Sequence, residues 1–152
     1  MDAQTREQIN RFKEAMKKKS IAVEDDTGKA VLAACVLVEK TAKLGMKTTQ
    51  LDTSKSYKVT KTKYHYPSQE WDYPAIDTGR LWQSITHDIS KHYGVTIGRV
   101  GTNVGYGAML EHGTSKMVPR PWLGSSIAFQ RDRIREIFKG ILRGESPDIE
   151  IN

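Results

Sequence analysis

Four histidines and one cysteine are the side chains of this sequence best suited to metal or nucleophile chemistry. His65, His87, His92 and His112 lie in separate contexts, and no two are four residues apart. A helical metal site needs that spacing to bring two ring nitrogens to one face, so neither a metal centre nor a cofactor is expected. Cys35 is alone inside an apolar run, which leaves no internal disulfide and no cysteine quartet for zinc. It reads as a buried, inert thiol. Ser84 and His87 are close in sequence, but no elbow motif and no orienting acid accompany them, so they do not read as a triad. Ser125 and Ser126 read as structural residues at a helix start. The run G-T-N-V-G-Y-G (101–107) lacks the Lys-Ser/Thr ending of a phosphate loop and does not fit G-x-G-x-x-G; its glycines read as turn residues. With no convergent set of polar groups, the chain is not expected to be an enzyme.

Glu111 is the most informative single residue. It follows apolar Ala108, Met109 and Leu110 and precedes a glycine turn. A carboxylate there has three outlets: the Thr114 hydroxyl, nearby loop amides, or a pair with Arg120 within the chain or across a subunit boundary. Arg120 precedes Pro121, which holds it extended and aims its guanidinium. Catalysis would need a second acid or a base nearby, for which Asp88 and Glu136 are candidates only by default, so Glu111 is assigned a structural role. Trp122 reads either as a core anchor for the following helix or as an interface plug.

These residues sit in the stretch that organises the chain, 100–123. Gly101, Gly105, Gly107 and Gly113 give permissive backbone, and Pro119 and Pro121 fix φ. The apolar periodicity of 106–111 predicts about one and a half turns of helix. Gly113 is expected as its left-handed C-terminal cap, and Pro121 as the first residue of a long amphipathic helix over 121–142. The pattern Tyr-Gly-x-Met-Leu-Glu-His-Gly-Thr-Ser-Lys-Met-x-x-Arg-Pro-Trp-Leu resembles the signature of the head–tail joining proteins of long-tailed phages, also called neck or tail-completion proteins. Tyr106, Glu111, Gly113, Thr114, Arg120, Pro121 and Leu123 match it. Gly107 stands where that family has alanine, His112 where it has an aromatic, and Trp122 where it has phenylalanine. A second element, Thr78, Gly79, Leu81, Ser84 and Ile85, resembles the same family's threonine-glycine-x-leucine-x-x-serine-isoleucine motif.

The resemblance implies a virion structural protein. It implies a ring, a hexamer, at the head–tail junction that surrounds the DNA path and catalyses nothing. Its implied partners are other copies of itself, the head-connector or head-closure protein, and tail-terminator or tail-tube proteins, with weak non-specific contact with packaged DNA. Tyr106, Glu111, Gly113, Thr114, Arg120, Pro121, Trp122 and Leu123 are then the candidate subunit-interface residues. The protein is expected in the virion after synthesis in a host cytoplasm.

The surrounding elements must position these motifs. The segment 5–19 reads as a polar helix with one thin stripe, Ile9, Phe12 and Met16, ending in Lys17, Lys18 and Lys19. Asp25 to Gly28 reads as a turn with capping residues, followed by a second helix over 29–44. Residues 30–38 are apolar throughout and rich in small side chains, which suits burial on more than one side and close approach to a sheet. The leftover face hints at oligomer contact. The segment 54–66, rich in Lys, Thr and Tyr, suits an exposed strand or arm, and Lys55, Lys58, Lys61 and Lys63 on it are a candidate contact to DNA in the lumen or to an adjacent ring. Asp77 or Thr78 is expected to cap a short helix that sets Leu81 and Ile85 on one face. Strands are expected over 85–90 and 95–100, joined through Lys91, His92, Tyr93 and Gly94 with Gly94 in the strained position.

The fold class expected is α+β: a small antiparallel sheet from 55–66, 85–90 and 95–100 packed on one face against two main helices, 29–44 and 121–142, with an additional polar N-terminal helix. The domain organisation is a polar helix over 1–20, a single domain over 21–143 and a mobile tail over 144–152. The length of 152 residues suits one domain. A formal net charge of +6 and a pI near 9.4 suit polyanionic surroundings, so a free-standing basic nucleic-acid-binding protein is the alternative function. No apolar run approaches the roughly 20 residues of a membrane span, and the polar N-terminus is not a secretory signal.

Overall fold

The structure, a computed structural model, describes residues 3–54, 57–58 and 64–145. Helix α1 spans Ala3–Thr48 without interruption. The turn expected at Asp25–Gly28 is absent. Lys29 reaches back to Asp25 at 2.9 Å and Asp26 at 3.4 Å, and the Thr27 hydroxyl donates to the Val23 carbonyl at 2.7 Å. These contacts keep the turn residues within the helical ladder. A helical glycine costs only about 1 kcal/mol relative to alanine, which neighbouring turns absorb. The two expected helices are therefore one.

Strands β3 (Thr86–His92) and β4 (Val95–Gly101) form an antiparallel hairpin with His92 opposite Val95. Tyr93 and Gly94 make the turn, both at positive φ (48° and 78°), the geometry whose twist matches that of a two-residue hairpin. Strands β1 (Tyr57–Lys58) and β2 (Tyr64–His65) pair only with each other. Among the described residues the single sheet expected from three segments is thus two separate two-stranded ribbons, and the α+β class stands with a smaller sheet. Lys55, Lys61 and Lys63 lie outside the described residues, as does the side chain of Lys58.

Helix α1 is the spine. The hairpin packs along it and α4 (Leu123–Leu142) packs against it too, so the second main helix lies on the first and not beside it on the sheet. The small residues of α1 allow this. Cys35, Val38, Ala42 and Met46 are buried at spacings of three and four, as one stripe requires, and Ala30 and Ala33 are buried as well, on an adjoining face. A Cβ on Gly98 of β4 would stand 2.4 Å from the Cys35 sulfur and 2.7 Å from Val31. That is the close helix–sheet approach the small residues predict. Burial raises the pKa of the Cys35 thiol, so it stays protonated and unreactive.

One core joins the C-terminal half of α1 to two short helices, α2 (Arg80–Ser84) and α3 (Tyr106–His112): Ala42, Met46, Leu81, Ile85, Val104 and Trp122. N-terminal of this body α1 runs on. The Lys91–Glu24 ion pair, at 2.8 Å, joins the hairpin to it, and every residue from Arg6 to Val23 is exposed. At about 1.5 Å per residue that is roughly 27 Å of helix. Among the described residues no helix is long and apolar enough to cross a membrane.

Candidate functional site

The two sequence motifs meet in space. Ser84, at the end of α2, places its hydroxyl 2.5 Å from that of Thr102, just before α3, and donates to the Leu81 carbonyl at 2.8 Å. Leu81 and Ile85 are buried in the cluster that holds Trp122. Gly79 is the N-cap of α2, with φ of 77°, so the cap is a glycine in place of the expected Asp77 or Thr78. The Thr78 hydroxyl still receives the Arg80 amide, at 3.4 Å.

Glu111 reaches from α3 to the start of α4. One carboxylate oxygen accepts the amides of Trp122 and Leu123, both at 2.8 Å, and the other accepts that of Gly124 at 2.8 Å. The helix N-terminus presents unsatisfied N–H groups and partial positive charge, and a carboxylate answers both. A cap of this kind contributes about 1–2 kcal/mol. Of the three outlets expected for Glu111 the amides are the one used, but two of the three amides, those of Leu123 and Gly124, belong to helix α4 and not to a loop. Pro121 consequently does not open the helix: the N-cap is Trp122, whose side chain gives no cap bond, and the carboxylate eleven residues upstream does that work.

Arg120 does not pair with Glu111. Its Nε and Nη2 donate to the Ser68 carbonyl at 3.2 and 3.1 Å, and Nη1 to the Val118 carbonyl at 3.4 Å. Its own amide donates to the Leu110 carbonyl at 2.7 Å. Thr114 closes a tight turn with Met117 through two backbone bonds of 2.9 and 3.2 Å, and its hydroxyl accepts the Lys116 amide at 3.2 Å. Gly113 has φ 74° and ψ −177°. This is not the left-handed cap expected but an extended conformation open only to glycine. A Cβ there would strike the Met117 carbonyl oxygen at 2.8 Å.

Trp122 is a core anchor, 3 % exposed, with its indole N–H donating to the Gly107 carbonyl at 3.0 Å. A Cβ on Gly107 would stand 2.6 Å from the Thr102 methyl and 3.2 Å from Leu81. Glycine at this position is therefore tied to threonine at 102. Tyr106 is 40 % exposed at the start of α3, and Leu123 is half-buried against the core.

The histidines are dispersed. His87 Nδ1 lies 2.5 Å from Glu39 Oε2, and Lys43 Nζ lies 2.5 Å from the other oxygen. Burial alone would raise the Glu39 pKa, but hydrogen bonds from His87 and Lys43 hold it below the usual carboxylate range. His65 stands 3.5 Å from Asp77, while His92 and His112 are exposed. Among the described residues no three His, Cys, Asp or Glu side chains gather as a metal ion requires.

Trp71 and Tyr73, absent from the candidate residues read from the sequence, also meet this region. Trp71 is 68 % exposed at φ 66°, and its amide donates to the Pro119 carbonyl at 3.0 Å. An aromatic residue in this region is strained by about 1–3 kcal/mol. Tyr73 packs on Gly45, where a Cβ would overlap its ring at 2.4 Å, and its hydroxyl lies 3.1 Å from that of Ser126 at the start of α4. The glycine was visible in the sequence; its partner 28 residues away was not. Compared with protein-family models, with curated proteins and with solved structures, the chain has no match.

Proposed function

We propose that this chain is a virion structural protein, a subunit of a ring at the head–tail junction of a long-tailed phage. The observation that carries the reading is how the signature-like stretch is spent. Glu111, Thr114, Arg120 and the Trp122 indole all turn their polar groups inward onto backbone of the same chain. Such a segment is scaffolding: it fixes the shape of a surface. The exposed apolar surface is what the ring needs. Ile9, Phe12 and Met16 are exposed on the projecting part of α1, and Trp71 is held outward on the loop against Pro119. Heterologous contacts between copies close into a ring when the rotation between neighbours divides a full turn.

One observation favours the second reading, a free-standing nucleic-acid-binding protein. Over 3–19, the projecting helix carries Arg6, Arg11, Lys13, Lys17, Lys18 and Lys19 against only Glu7 and Glu14. A lumen facing DNA would use the same charge for weak contact. Native mass spectrometry across a concentration series, with and without duplex DNA, separates the two. The ring reading predicts one discrete closed oligomer and weak DNA binding. A chain that stays monomeric yet binds duplex DNA at micromolar or tighter affinity, with steep salt dependence, contradicts it.

A further inference from the structure

A cavity of about 390 Å³ opens between α2, α3 and the loop that carries Ser68. Leu81, Leu110 and Met117 give it apolar walls, and Ser68, Arg80 and Arg120 give it polar groups. Its charge is unbalanced. Among the described residues Asp77 is the one carboxylate on its lining, and Asp77 already faces His65. Arg120 bonds only to carbonyl oxygens, and Arg80 meets no carboxylate among the described residues. Ser68 is 1 % exposed, and its hydroxyl has no hydrogen-bond partner among the described residues. A buried polar atom left alone costs about 1–3 kcal/mol, so this hydroxyl is available to a group that enters the cavity. The ligand that suits these walls is an extended segment mixing apolar side chains with carboxylates.

The chain contains such a segment. Residues 146–152 read S-P-D-I-E-I-N, with Asp148 and Glu150 alternating with Ile149 and Ile151. To reach the cavity within one chain, this segment would have to run back along α4. The Glu145 amide donates to the Gly140 carbonyl at 3.0 Å, which ties it to the far end of α4. From there to Trp122 is about 27 Å along the helix axis at 1.5 Å per residue, and Arg120 lies before Trp122. Glu150 is five residues past Glu145, at most about 18 Å of extended chain.

The geometry points to this cavity as the receptor for residues 146–152 of a second copy of the chain, with the isoleucines on its apolar walls and a carboxylate bonded to Arg120 and the Ser68 hydroxyl. The inference rests on the oligomer reading above and names one of its contacts. A segment passed from each copy to the next is a heterologous contact, the kind that a ring repeats.

The test is fluorescence anisotropy of a labelled peptide of residues 145–152 titrated with the full-length protein. Saturable binding is expected, weakened at least tenfold when Asp148 and Glu150 of the peptide become Asn and Gln. Arg120→Gln in the protein should weaken binding by a similar factor. Because Arg120 also steadies the Ser68 loop, Arg80→Gln is the companion variant: Arg80 is exposed, and its loss should weaken binding severalfold in a protein that melts as wild type does. Absence of binding, or equal binding of the acidic and amide peptides, overturns the inference. Native mass spectrometry of the same samples separates the two readings. Rings without acid-dependent peptide binding sink this contact alone. Peptide binding without rings upholds the cavity and sinks the ring.

Discussion

Of the glycines in the signature-like stretch Gly107 leaves the least room for a Cβ, with Thr102 in the way, and this leads to a prediction with an internal control. Gly107→Ala places a methyl group 2.6 Å from the Thr102 Cγ2 and should cost about 1–3 kcal/mol by overpacking. Thr102→Ser removes that methyl group but keeps the hydroxyl that meets Ser84 and receives the Val104 amide. The double variant should therefore recover most of the loss in urea denaturation, beyond what the two single changes add to. Additive effects would show that the methyl contact is not what excludes alanine here. At this scale the residue types were legible. A carboxylate ahead of a glycine turn must find donors, and a tryptophan after a proline must anchor something. The partners were not legible, because the Trp122, Leu123 and Gly124 amides become orphan donors only once α4 begins where it does.

At the scale of elements, α1 decides the architecture, and it is where reading the sequence went furthest astray. Asp25, Asp26, Thr27 and Gly28 have the composition of a turn, but the same side chains bond along the helix when the flanking residues hold it. Local propensity is a weak prior against roughly 20 helical residues on either side. Gly28 has nothing within 4 Å of where a Cβ would lie, so Gly28→Ala should stabilise the protein by about 0.5–1 kcal/mol, seen as a higher denaturation midpoint. A loss of stability would mean that a break is needed there. The hairpin and the C-terminal helix were legible from alternation and helical spacing. The packing of α4 on α1 was not, since the stripe of either helix fits a sheet or another helix equally well.

The junction of α1 with β3 carries a pH dependence. Glu39 titrates below its unfolded value because His87 and Lys43 outweigh the effect of burial. A depressed carboxylate stabilises the fold at pH above its unfolded value, and the benefit is lost as pH falls through the folded value. Urea midpoints should therefore fall as the medium is acidified below the ordinary carboxylate range. Glu39→Gln should remove part of that slope while lowering stability at neutral pH. An unchanged slope would show that the contact contributes nothing to acid sensitivity.

On the scale of the whole molecule, a body of buried core supports a helix that outruns it. Three exposed apolar residues, Ile9, Phe12 and Met16, share one stripe of that helix. An unsupported helix of this length is only marginally stable in water, so the account requires neighbouring copies to cover it. Amide hydrogen exchange followed across a range of protein concentration tests this most directly. The account predicts rapid exchange over 6–23 in dilute monomer, and protection that rises in step with the oligomer while the core amides of α4 stay slow throughout. Exchange over 6–23 that remains rapid in the assembled protein would contradict it.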